Sequence, residues 1–193
     1  ERNEKRFEAQ LQSASTPYLR ESSVSYPVDD LGLVVFSGRR DFVIDTPCGS
    51  EIVELKATSS KTKYQMLREG KYATENLAQL IAYMVEAEDT QGRLMYSYYK
   101  SPTDANPHLE RTYMVAVDPS GDILADGKHS GFTLADYLVH RDAAADAVLN
   151  ETVYDRPYNY DAPFGSPCQY CVFRSACDKY DSGKSEFKPA VES

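Results

Sequence analysis

The stretch EIVELKAT, residues 51–58, constrains this chain more than any other. Its aliphatic and β-branched residues read as a strand. Side chains alternate along a strand, so Val53, Leu55 and Ala57 share one face, expected to meet the core, while Ile52, Glu54 and Lys56 share the other. Charges do not enter an interior unless they are paired or bind a metal. Upstream, LGLVVFSGRRDFVI (31–44) reads as strand, kink at Ser37-Gly38, strand. DTPCGS follows, with Pro47 and Gly49 marking a turn. If that turn pairs the flanking strands, Asp41, thirteen residues before Glu54, comes beside it. Asp45, on the same strand face, is a rival for that place. Two carboxylates with open positions suit Mg²⁺ or Mn²⁺, which keep waters for a substrate phosphate. A nearby ammonium such as Lys56 can hold an attacking water or stabilise charge growing on a phosphoryl group.

The remaining elements frame this strand. NEKRFEAQLQSAS (3–15) is expected to form a short amphipathic helix through Phe7, Ala9 and Leu11. YATENLAQLIAYMVEAE (72–88) is the strongest helix, with Leu77, Leu80, Ile81 and Met84 in one stripe and Thr74 as its N-cap. GRLMYSYYK and RTYMVAVD read as strands, and TLADYLVHRDAAADAVLN as a second long helix capped by Thr133. The order is helix, three strands, helix, strand, with additions. It predicts an α/β core around a mixed sheet. From Lys56 to Lys71, five basic residues stand against one acid, Glu69. That segment reads as a solvated loop, or as a basic surface beside an acidic site.

Composition narrows the classes. With 193 residues the chain is long enough for one domain with a substantial core. No apolar run is long enough for a membrane-spanning helix. The net charge of −9 argues against non-specific nucleic-acid binding, although the basic segment can act locally. The chain starts at Glu and carries no signal peptide, so an upstream element is expected to be missing. Of four cysteines, three crowd into ten residues, unlike a disulfide framework; an intracellular, cytoplasmic setting is expected.

Asp41 followed by Glu54-Leu55-Lys56 resembles the core motif of the PD-(D/E)XK nuclease superfamily. Gly38 to Asp41 resembles the G-x-x-D of its RecB-type branch, and Gln79 to Tyr83 the Q-x-x-x-Y of the same branch. Gln79 and Tyr83 are four apart, on one helical face. The resemblance implies a restriction-endonuclease-like αβββαβ core. It implies Mg²⁺ or Mn²⁺ on Asp41, Glu54 and the backbone carbonyl of Leu55, with Lys56 activating water. Gln79 and Tyr83 would sit beside that lysine and contact the DNA backbone. Arg39, Lys61 and Lys63 are expected to meet nucleic acid. The branch usually places a histidine ligand on its first helix, but His108, His129 and His140 all come after the motifs. The first helix offers Glu4 and Glu8, and Glu8 is the choice here. By family analogy the substrate is single-stranded DNA or DNA ends. A nucleoid-associated protein working with a helicase, a recombination or repair component, or the CRISPR adaptation machinery is implied. Two other readings stay open: an inactive DNA-binding or assembly module, and an RNA-cleaving relative.

Cys168, Cys171 and Cys177, spaced C-x2-C-x5-C, suit zinc or an iron–sulfur cluster, with a fourth ligand still needed. The segment resembles the cluster-bearing tail of AddB-type helicase–nucleases and CRISPR adaptation nucleases, which hold a 4Fe–4S cluster. Those families place their first cysteine before the core. Here Cys48 lies between the two motif strands instead. The expected division is a nuclease core with additions over 1–160 and a cysteine-bearing cap and tail over 161–193, with three free thiols as the alternative.

Overall fold

A computed structural model describes residues 2–27, 34–47, 49–101 and 103–150. The expected cysteine cap, and Cys48, lie outside the described residues. Four helices are described: α1 (Arg2–Ser13), α2 (Lys61–Arg68), α3 (Thr74–Glu86) and α4 (Leu134–Leu149). Among the described residues seven strands follow chain order across one sheet: β1 (Tyr18–Pro27), β2 (Val34–Thr46), β3 (Gly49–Thr58), β4 (Gln91–Tyr98), β5 (Leu109–Val117), β6 (Asp122–Ala125) and β7 (Lys128–Thr133). Every neighbouring pair is antiparallel except β3 and β4, which run parallel. A parallel pair needs a crossover connection, and α2 with α3 supplies it. The result is the mixed α/β fold of a restriction-endonuclease-like core.

Around β2 and β3 the sheet is covered on both faces. On one, α3 buries Leu77, Leu80, Ile81 and Met84 against Val43, Ile52, Leu94 and Tyr96. On the other, Phe7 and Leu11 of α1 pack on Phe42, Ile44 and Val53. Ile52 and Val53 are therefore both fully buried, though they point to opposite faces. The expectation that only the Val53 face meets core is corrected: the Glu54 face is core too, apart from the polar residues at its end. At about 25 cal/mol per Å² of apolar surface removed from water, this double burial holds β3 in the core.

Some elements differ from expectation. YLRESSVSYP forms β1, whose alternation of partly buried and exposed residues was hidden by its serines. β2 runs unbroken through Ser37-Gly38. The basic segment forms α2, with Ser60 as N-cap accepting from the Lys63 backbone N–H. Thr74 is the first residue of α3 and Ala73 its N-cap, with no side-chain bond.

The β1–β2 ribbon turns over at one point. Tyr18 and Val24 would share a face on a regular strand, yet Tyr18 packs in the α1-side cluster and Val24 in the α3-side cluster. Between them Glu21 has φ 52°, a left-handed conformation that costs about 1–2 kcal/mol for a residue with a Cβ. The ladder passes from Arg20↔Phe42 to Ser22↔Arg40, which places Asp41 opposite this kink.

Candidate active site

The site lies where β2 and β3 part. Their ladder runs from Thr46↔Gly49 to Phe42↔Val53. One residue further, Asp41 Oδ2 accepts a hydrogen bond from the Leu55 backbone N–H at 2.7 Å, so a carboxylate bridges the opening. Glu54, on the next outward position of β3, is only 2% exposed. Its Oε1 accepts from Lys56 Nζ at 2.6 Å. Its Oε2 is buried and has no hydrogen-bond partner among the described residues. Lys56 Nζ also donates to Gln79 Oε1 at 2.8 Å, and Gln79 Nε2 donates to Tyr83 Oη at 2.7 Å. The structure thus brings Asp41, Glu54, Lys56, Gln79 and Tyr83 into one connected group. Lys56 is its more open member, with 24% of its side chain exposed against 3% for Glu54.

Burial raises the affinity of both carboxylates for a proton. It pushes Glu54 up to about 7, helped by the neighbouring Asp41 and opposed by Lys56. It also raises Asp41, against the Leu55 N–H and Lys56, which favour the charged form. Two carboxylates crowded together out of water need positive charge. Lys56 meets Glu54 at Oε1, which leaves Oε2 buried without a hydrogen bond among the described residues. Neighbouring carboxylate oxygens are hard donors of the kind Mg²⁺ or Mn²⁺ takes. Among the described residues no three His, Cys, Asp or Glu side chains converge as a metal site. Two carboxylates alone would leave positions for water and phosphate, which is how Mg²⁺ is usually held.

The other expected residues fall around this group. Glu8 accepts from Tyr18 Oη at 2.9 Å and from Arg20 Nη1 at 2.8 Å. Glu4, one turn earlier, accepts from Arg20 Nη2 at 3.0 Å, and its charge is the one on α1 that bears on Asp41. Asp45 is exposed opposite Ser50 near the turn and does not join the group. Arg39 is exposed and lies 3.7 Å from Glu21, beside the kink. Lys61 and Lys63 occupy the first turn of α2, and Lys63 lies 3.8 Å from Glu75. Cys168, Cys171 and Cys177 lie outside the described residues.

Arg20 was not anticipated. It joins two α1 glutamates to β1 and lies over the Phe42 ring, 6.0 Å from its centroid. The alternation of Tyr18, Arg20, Ser22 and Val24 was the signal that could have found its strand.

Comparisons with known proteins give the family. The profile of the PD-(D/E)XK nuclease superfamily matches residues 2–178. A search of curated proteins returns no match. Among solved structures the chain is similar to an alkaline exonuclease from Laribacter hongkongensis, at 13% identity and a TM-score of 0.47, covering 75% of this chain and 61% of that one. The same exonuclease in complex with dAMP gives 12% identity and a TM-score of 0.48, over 75% and 61%. A phage-related exonuclease from Haemophilus somnus gives 12% identity and a TM-score of 0.41, over 77% of this chain and 69% of that one. The chain therefore spans less than two thirds of the length of the Laribacter exonuclease. With the family profile covering most of its residues, the chain belongs to the PD-(D/E)XK nuclease superfamily.

Proposed function

We propose that the protein is a divalent-metal-dependent deoxyribonuclease of the RecB-type branch, acting on single-stranded DNA or DNA ends. The observation that carries this reading is the buried, unpartnered Glu54 Oε2 beside Asp41, with Lys56 held between Glu54 and Gln79. Asp41, Glu54 and the Leu55 carbonyl would hold Mg²⁺ or Mn²⁺, with Glu8, or Glu4 one turn earlier, as the further carboxylate from α1. Bound there, the metal supplies Lewis-acid polarisation of the phosphate and a more acidic water.

The chain's own residues do the rest. Lys56 donates to the attacking water and orients it in line with the scissile bond, and its positive charge opposes the charge growing on the phosphoryl oxygens. Gln79 keeps the ammonium from swinging toward solvent, and Tyr83 keeps Gln79 in place. Arg39 and the first turn of α2, through Lys61 and Lys63, meet the phosphates on either side, a local basic surface on an acidic protein. The reading includes a C-terminal cap over 161–193 in which Cys168, Cys171 and Cys177 hold a 4Fe–4S cluster or zinc in a structural role.

The test uses end-labelled single-stranded DNA, double-stranded DNA and RNA with Mg²⁺ or Mn²⁺. DNA is expected to be cut and EDTA to abolish the cutting. Cleavage of RNA alone would replace the substrate, and DNA binding with no cleavage would reject the enzyme.

A further inference from the structure

The glycine that opens the G-x-x-D motif has no role in the chemistry above, yet the structure gives it one. Gly38 lies on β2 three residues before Asp41, and it is not among the positive-φ glycines. Its backbone conformation is therefore open to any residue, and the need for glycine must come from space. A Cβ at this position would stand 2.5 Å from Tyr83 Cε1, 2.9 Å from Tyr83 Oη and 3.1 Å from Tyr83 Cζ. Atoms at such distances overlap, and a tyrosine ring is stiff. Tyr83 is itself 5% exposed within the α3-side cluster, so the ring cannot turn aside without disturbing its neighbours.

We infer that Gly38 is a positioning residue for the site. Its bare backbone is the seat on which the Tyr83 ring rests, and through Tyr83 and Gln79 it sets where the Lys56 ammonium stands. The chain of contacts is continuous. Gly38 fixes the height of the Tyr83 hydroxyl, which accepts from Gln79 Nε2 at 2.7 Å. Gln79 Oε1 then accepts from Lys56 Nζ at 2.8 Å. One strand thus supplies both the Asp41 carboxylate and the support for the lysine opposite it. The two motifs, read separately in the sequence, are one steric unit.

A second glycine packed against the same helix serves as a control. Gly92 of β4 would place a Cβ 2.7 Å from Met84 Sδ and 3.0 Å from Leu80 Cδ1. Both are flexible side-chain ends that can move. A methyl there disturbs α3 packing without touching Tyr83.

This inference rests on the proposed function only for its activity readout, so the experiment has two arms. The first measures the single-turnover DNA cleavage rate with Mg²⁺ for native protein, Gly38→Ala, Gly92→Ala, Tyr83→Ala and Gly38→Ala/Tyr83→Ala. The second follows the Gln79 side-chain amide in a ¹⁵N-edited spectrum without metal or DNA. Gly38→Ala is expected to cut about tenfold or more slowly, since small displacements at reacting groups are costly. Its Gln79 amide signal is expected to move. Gly92→Ala should cut within about twofold of native and leave that signal in place. In the Tyr83→Ala background, Gly38→Ala should cost nothing further, because the ring it collides with is gone. If Gly38→Ala alone does not fold, the double variant carries the test: a rate equal to Tyr83→Ala supports the seat. Independent, multiplying losses, or an unmoved amide signal in Gly38→Ala, would overturn it. Should the native protein cut no DNA, the proposed function falls while the amide signal still decides the seating.

Discussion

Lys56 Nζ stands 2.8 Å from Gln79 Oε1, and this contact joins the motif strand to the crossover helix. An ammonium only donates, so the amide must turn its oxygen to Lys56 and its nitrogen to Tyr83. The pair explains how a lysine two residues from a buried glutamate avoids collapsing into a simple ion pair. Glu54 holds one side of the ammonium and Gln79 the other, leaving its third proton for a water.

Removing that hold should lower turnover more than binding. Gln79→Ala is expected to reduce the single-turnover cleavage rate by about 10- to 100-fold, equivalent to about 1.4–2.8 kcal/mol of barrier. Half-saturation by DNA should change little. A steady-state comparison with native protein checks this, together with thermal unfolding to show that α3 remains packed.

The raised affinity of Glu54 for protons carries a pH dependence in metal-free protein. Its carboxyl titrates near 7 when folded and near 4.5 when unfolded. The folded state therefore binds more protons between these values, and stability falls as pH rises from about 4.5 to about 7, by about 3 kcal/mol. Asp41 is raised too and acts in the same direction. Urea unfolding in EDTA at pH 5 and pH 7.5 should show the loss. Glu54→Gln, neutral throughout, should flatten it, be more stable than native protein at pH 7.5, and fail to cut DNA.

Divalent metal should reverse that loss. Mg²⁺ or Mn²⁺ needs the ionised carboxylate, so binding at pH 6.5 is expected to release protons and to strengthen as pH rises toward 8. Titration calorimetry in buffers of different ionisation heat measures the release. At a hundredfold excess over its dissociation constant the metal should add about 2.7 kcal/mol of stability. Glu54→Gln should abolish both effects.

The other buried glutamate of β3 has a different fate. Glu51 is bound by Arg93 through Nε–Oε1 at 2.9 Å and Nη2–Oε2 at 2.8 Å, with its own side chain 3% exposed. Arg93→Ala strands a buried charge and should cost about 3 kcal/mol in urea unfolding at neutral pH. Cleavage per folded molecule should stay unchanged, since Glu51 pairs with Ile44 toward the turn and neither residue contacts Asp41, Glu54 or Lys56.

These contrasts show what could be read from residues alone. The alternation in EIVELKAT gave the strand, the turn after Asp45 gave its pairing, and the spacing of Gln79 and Tyr83 gave a shared helix face. Each signal is local. Strand β1 was missed because Ser22, Ser23 and Ser25 dilute its β-forming residues, and its partner choice depends on contacts distant in sequence. The Lys-rich α2 reads as a solvated loop or basic surface because only Leu67 is fully buried and the helix gains its stability by docking. Whether Glu4 or Glu8 stands nearer Asp41 depends on the rotation of α1, which packing of Phe7 and Leu11 decides. The left-handed Glu21 opposite Asp41 has no sequence signature at all.

With Lys56 proposed to act beside a metal held by Asp41 and Glu54, the most direct measurement compares native protein with Lys56→Ala. Cleavage of labelled single-stranded DNA is followed under single turnover in Mn²⁺, with metal and DNA binding measured separately. The expected result is cleavage by native protein, and a loss of about 10³-fold or more in the variant while it still binds metal and DNA. Cleavage by Lys56→Ala at the native rate would contradict the site assignment.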